Sequence, residues 1–186
     1  TALHAKGWSF EPKKLQLNPL TTQTNRRVLL IITGGIAAYK GLDLARRLMD
    51  RGFSVRGVMT ESAQNFITPL SLSALTGDKV YTELFSLTDE AEMGHIRLAR
   101  DTDLVLVAPA TANFIAKLSH GLADCLASTL CLATDAPVMV APAMNPNMWQ
   151  HPATQDNLAC LEQRGVQIIA PVSGDTACGE IGIGRL

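Results

Sequence analysis

Three side chains able to do polar chemistry near neutral pH stand in stretches otherwise apolar or glycine-rich. "APAMNPNMW" (141–149) follows an apolar run and puts Met144, Asn145 and Met148 where the chain should leave the core. An amide at that point can bind a carboxylate or amide of a ligand, or it can cap the short turn beginning at Pro146. The thioethers can form a soft apolar wall or fill core. His95 lies early in "MGHIRLAR" (93–100), and its ordinary pKa suits acid–base work, although a histidine at a helix start is often a surface or capping residue. Cys178 lies in "SGDTACGEIGIG" (173–184), a segment too rich in glycine to be core. A thiol on a flexible segment beside a cleft can close over a ligand and donate a proton. Cys125, Cys131 and Cys160 fall in apolar helical patterns and read as small buried residues, and without a CxxC pair a zinc site is not expected.

Further stretches could hold a cofactor. "TGGIAAYK" (33–40) opens a helix directly from a strand. Its glycines Gly34 and Gly35, with Ile36, would let a ligand approach the backbone, and free N–H groups at a helix start attract phosphate. The pattern is not GxGxxG, and a plain tight turn is the alternative. Thr60, Glu61 and Ser62 follow the next strand pattern; Glu61 could hold an adenosine ribose, and the hydroxyls suit a phosphate or a ribityl chain equally well. "APATANF" (108–114) begins a helix with Thr111, Ala112, Asn113 and Phe114, small enough at its start to leave room for a flat ring. Thr111 serves equally as an N-cap. These segments fit a mononucleotide flavin better than a dinucleotide.

The elements that must position these residues alternate regularly. Strands are expected at 28–33, 53–60, 103–109, 137–142 and 166–171. Helices are expected at about 36–51, 93–100, over 111–133 with a break near Gly121, and at 152–165, closed by Gly165; short helical pieces fill 61–76. Residues 77–92 read as a mobile acidic loop, and residues 1–26 as an arm without sustained period preceding one domain over 27–186. Alternating strands and helices point to an α/β fold, a Rossmann-like open parallel sheet covered on both faces. Ligands bind such sheets outside the carboxyl ends of the strands, which gathers the candidate residues, Ala143 included, at one edge.

Composition agrees. The chain has 186 residues, 47% hydrophobic and 18% charged, with a net charge of −1. That suits one soluble domain and argues against a nucleic-acid surface. No apolar run reaches the roughly 18 residues of a membrane span, and the start lacks a secretory pattern, so a cytoplasmic protein is expected.

"GGIAAYK" (34–40), "GHIRLAR" (94–100), "APATANFIAKLSHGLAD" (108–124), "PAMNPNMW" (142–149) and "ACGEIGIGRL" (177–186) together resemble the flavin-dependent cysteine decarboxylases, specifically the phosphopantothenoylcysteine decarboxylases of coenzyme A biosynthesis. The likeness covers nearly everything after the N-terminal arm, which is longer than the family pattern, and the chain ends in "GRL" where a methionine is expected. The resemblance implies FMN, held by Gly34, Gly35, Ile36, Thr60, Ser62, Thr111, Ala112, Asn113, Phe114 and Ala143. It implies His95 as a base, Asn145 as binder of the substrate carboxylate beside Met144 and Met148, and Cys178 as proton donor. The implied reaction oxidises the cysteine unit to a thioaldehyde, releases CO2 and returns the hydride. It further implies a homotrimer or homododecamer with sites between subunits, no nucleic-acid or membrane partner, and a fused phosphopantothenoylcysteine synthetase domain. Other roles on this type of fold are a flavin-binding, phosphatase-inhibiting regulatory subunit, a flavin prenyltransferase, and a peptidyl-cysteine decarboxylase. Intact His95, Asn145 and Cys178 favour catalysis.

Overall fold

Short segments lie side by side in one sheet, its central strands buried on both faces and its edge strands only in part. A computed structural model describes residues 26–84, 94–175, 179 and 181–186. The strands are β1 (Arg27–Ile32), β2 (Ser54–Met59), β3 (Val80–Tyr81), β4 (Leu104–Ala110), β5 (Val138–Pro142) and β6 (Gln167–Ile168). Every pairing is parallel, in the order β3-β2-β1-β4-β5-β6. Residues 29–32 of β1 have no exposed surface. Alternate side chains of β1 feed opposite cores, as a period of two requires. Leu29 and Ile31 join Phe114, Ile115, Leu130 and Leu158 on one face; Leu30 and Ile32 join Ala38, Ala45 and Leu72 on the other.

Among the described residues seven helices connect the strands: α1 (Ala38–Asp50), α2 (Pro69–Thr76), α3 (Gly94–Arg100), α4 (Ala112–His120), α5 (Leu126–Ala133), α6 (Pro146–Gln150) and α7 (Pro152–Gln163). Their ends carry local signals. Thr68 accepts from Ser71 N–H to cap α2, and Gly77 and Gly121 end α2 and α4 at φ near 67°. His151 caps α7 by accepting from Ala153 N–H at 3.1 Å. None of the described helices is long and apolar enough to cross a membrane.

The sequence reading fails at the margins of the sheet. Within 77–92 the structure has a strand, β3, only two residues long and half buried, too brief for any period to show. β6 covers just two residues of the expected 166–171. The glycine-rich tail forms an antiparallel hairpin, β7 (Val172–Asp175) with β8 (Ile181–Arg185). Its glycines answer a packing demand: a Cβ on Gly182 would lie 2.6 Å from Pro146 Cγ, and one on Gly184 would lie 2.1 Å from Met144 O.

Candidate active site

The sheet grows outward in both directions from the β1–β4 pair, so the carboxyl ends of these two strands form the topological switch point where open α/β sheets bind ligands. Three turns meet there. The first follows β1. Gly34 is required by packing, because a Cβ there would fall 2.4 Å from Ser62 Cβ and 2.8 Å from Ser62 backbone carbon. Gly35 is different: the nearest atom to its virtual Cβ is Thr111 Cγ2 at 3.7 Å. Its bare backbone therefore serves open space rather than a neighbour.

The second turn follows β4. Thr111 is the N-cap of α4, its Oγ1 accepting from Phe114 N–H at 3.3 Å, and its carbonyl accepts from Ile115 N–H at 3.0 Å. Of the first-turn donors of α4, those of Ala112 and Asn113 are left over. Phe114 is 3% exposed and packs in the core, so only its backbone belongs to this turn.

The third turn is "PAMNPNM". Ala143 N–H donates to Ala110 O at 3.0 Å, and Met144 N–H donates to Gly184 O at 3.0 Å. Asn145 caps α6, its Oδ1 accepting from Met148 N–H at 2.7 Å. That bond fixes the orientation of the amide and leaves the Nδ2 donors uncommitted among the described residues. The cap is thus observed, and it leaves ligand binding through Nδ2 open to the same side chain.

Between these turns lies a cleft of about 560 Å³, within the usual range for small-molecule sites. It gathers the expected Gly34, Gly35, Ile36, Thr111, Ala112, Ala143, Met144, Asn145 and Met148. Thr60 and Ser62 stand behind it on the β2 side, Ser62 against Gly34, and neither they nor Asn113 and Phe114 line it. Glu61 is exposed at the start of a short 3-10 turn, Glu61–Asn65. His95 belongs by its backbone to α3, but its side chain lies outside the described residues, as does Cys178.

Sequence reasoning missed the cations of the site. Lys40, from the first turn of α1, and Arg185, from β8, line the cleft, and no acidic residue among those described does. Lys40 Nζ donates to the Leu186 carbonyl. Burial, and then the nearby Arg185 charge, hold its pKa below the ordinary lysine value. The cleft thus favours an anionic ligand. The available signal was position: the last residue of "GGIAAYK" falls on the first turn of the helix after the glycines.

Such a switch-point cleft, with a bare-backbone floor and leftover helix N–H groups, defines an α/β nucleotide-type cofactor protein. The chain belongs to the Flavoprotein family, whose model matches residues 16–186. It is similar to the coenzyme A biosynthesis bifunctional protein CoaBC of Vibrio vulnificus (strain YJ016), 50% identical over 167 residues that make up 90% of this chain and 42% of that protein. The CoaBC protein of Bacillus subtilis (strain 168) is 47% identical over 162 residues, 87% of this chain and 40% of the relative. The chain thus spans about two fifths of the length of these relatives. Among solved structures it is similar to a PPC decarboxylase mutant complexed with pantothenoylaminoethenethiol, at TM-score 0.77 and 33% identity over 87% of this chain and 90% of that one. The FMN-dependent cysteine decarboxylase SpaF matches at TM-score 0.77 and 30% identity, over 88% of this chain and 92% of that one.

The cofactor is a flavin, and the residues present fit one. Gly35 leaves the floor open, and among the described residues the Ala112 and Asn113 N–H groups and the buried Thr60 Oγ1 beside the first turn have no hydrogen-bond partner.

Proposed function

We propose that this chain is an FMN-dependent decarboxylase that converts phosphopantothenoylcysteine to phosphopantetheine in coenzyme A biosynthesis. The observation that carries the reading is the cleft itself. It sets an open glycine turn, the start of α4 and the Asn145 amide around one electropositive space. The likeness to CoaBC proteins and to PPC decarboxylase supports the substrate, and the likeness to SpaF supports FMN as the flavin.

Bound FMN supplies a two-electron acceptor that gives the pair back, so no outside oxidant is consumed. The chain's own residues do the rest. Gly34, Gly35 and Ile36, with Thr60 and Ser62 behind them, Thr111 to Phe114 by backbone and cap, and Ala143 hold the cofactor. Asn145 Nδ2 donates to the substrate carboxylate, while its Oδ1 stays locked in the cap. The thioether walls of Met144 and Met148 keep that carboxylate dry and orient it across the developing π system of the substrate, a positioning effect. The carbanion left by CO2 is absorbed as an enethiolate once the Cβ–S unit has been oxidised to a thioaldehyde. His95 takes the proton released on oxidation, and Cys178 protonates the enethiolate carbon as the electrons return. Lys40 and Arg185 counter the substrate's negative charge. Ile36, Tyr39 and Met148 are large apolar side chains, 60%, 56% and 45% exposed at the cleft. That exposure supports a subunit contact that covers the site; in the trimer or dodecamer that the family resemblance implies, His95 would serve a neighbour's cofactor. A fused phosphopantothenoylcysteine synthetase domain would supply the substrate.

The test is direct. FMN-loaded protein given phosphopantothenoylcysteine releases CO2 and forms phosphopantetheine, and the His95→Asn variant releases none. A protein that binds FMN, stays yellow and releases no CO2 overturns the reading in favour of a binding-only role.

A further inference from the structure

We infer that Thr33 is the positioning residue that sets the spacing between the two cofactor-facing turns of the cleft, and that FMN affinity depends on its hydroxyl rather than on its bulk. This rests on flavin binding alone and not on the decarboxylase reading. Thr33 follows β1, is 1% exposed, and does not itself line the cleft. The β1–β4 ladder runs only from Val28↔Leu104 to Ile31↔Val107. Beyond that point Pro109 has no N–H to continue it. The strand tips are instead joined by Thr33. Its N–H and its Oγ1 both donate to Pro109 O, at 3.2 and 2.8 Å, and the same Oγ1 accepts from Thr111 N–H at 3.0 Å.

The consequences run to both turns. The residue after Thr33 is Gly34, which opens the glycine turn. The residue it grips is Thr111, the N-cap that leaves Ala112 and Asn113 N–H free for a ligand. One buried hydroxyl therefore fixes the backbone beside both. A valine has the same shape but would leave the Thr111 N–H unpartnered in a part-buried position and free the tips to spread, whereas a serine keeps both bonds.

The experiment uses flavin-stripped full chain, titrated with FMN by quenching of flavin fluorescence, with visible circular dichroism of the bound flavin as a second readout. Thr33→Val is expected to weaken FMN binding by about thirtyfold or more and to alter the flavin dichroism, while Thr33→Ser stays within about threefold of the parent. Ile32→Val, which trims a buried methylene from the same strand end and removes no hydrogen bond, is expected to lower the melting temperature yet bind FMN as the parent does. If Thr33→Val does not fold, Thr33→Ala is read against Ile32→Val in the same way. The inference is overturned if the hydroxyl-free variant binds FMN with the parent's affinity and dichroism, if Thr33→Ser is as impaired as Thr33→Val, or if Ile32→Val loses as much affinity.

Discussion

Gly34 and Gly35 are neighbours in sequence but differ in what an added methyl would meet, and this separates packing from ligand binding by experiment. At Gly34 the methyl carbon would sit 2.4 Å from Ser62 Cβ and 2.8 and 2.9 Å from Ser62 backbone atoms. Backbone cannot swing aside as a side-chain tip can, so the β2 turn must move as a whole. Overpacking of that kind costs about 1–3 kcal/mol, and Gly34→Ala is expected to lower the stability of the flavin-free protein by that amount. At Gly35 the nearest atom is 3.7 Å away, an ordinary contact, and the backbone there is not left-handed. Gly35→Ala should therefore leave the flavin-free protein unchanged, or more stable by up to about 1 kcal/mol through a less flexible unfolded chain. A cofactor held as proposed would meet the opposite situation, since the methyl would occupy the open floor of the cleft. A loss of about 1.5–3 kcal/mol in close contacts corresponds to roughly ten- to hundredfold weaker binding. Urea unfolding of both stripped variants, followed by FMN titration, reads the two effects separately. Unchanged FMN affinity in Gly35→Ala, or unchanged flavin-free stability in Gly34→Ala, would refute the assignment.

Two more outcomes follow from the same geometry. Aspartate caps helices about as well as asparagine, so Asn145→Asp should keep the flavin-free stability while cutting CO2 release by about a hundredfold or more, because a carboxylate replaces the donor proposed to bind the substrate carboxylate; turnover near the parent's would remove Asn145 from substrate binding. Burial, with Cys125 nearby as a lesser cause, pushes the Cys131 thiol up to about 12 from an ordinary 9.0. The folded state thus holds that proton more tightly than the unfolded state, so the contribution is complete below about pH 9 and is lost as pH rises toward 12. Relative to Cys131→Ala, the parent should lose up to about 1.4 kcal/mol per pH unit across that window in urea midpoints; parallel pH curves would contradict it.

What the sequence disclosed follows from how each segment is buried. β1, β4 and β5 read clearly because they are largely covered on both faces and every residue but Arg27 is apolar, and α4 and α5 separate at Gly121 as the left-handed glycine demands. β3 and β6 stand at the sheet edges with two residues each: the apolar run at 166–171 announced β6 but not its brevity, and two residues at β3 are too few for period or run length to show. The turns after β1, β4 and β5 were legible as site because small and polar residues interrupt apolar runs at strand ends. Lys40 and Arg185 were not, since a charge in sequence looks like any solvated charge until the fold turns it inward. Thr33 was visible only as a strand tip, because its work is a pair of hydrogen bonds to residues 76 and 78 positions away.

The makeup of the turn at 142–148 has a physical reason. A free loop making so sharp an exit would spend its positions on glycine, aspartate or serine to satisfy its own backbone. Here the neighbours do that: Ala110 and Gly184 carbonyls accept the Ala143 and Met144 N–H groups, and a prolyl residue starts α6 with no N–H to place. The close approach still demands glycines, but they sit on the facing strand, as Gly182 against Pro146 and Gly184 against the Met144 carbonyl. With its own conformation imposed from outside, the turn is free to carry two thioethers and an amide that is half cap and half donor. The same arrangement makes the hairpin and the turn one unit, so the site is complete only where β8 is docked.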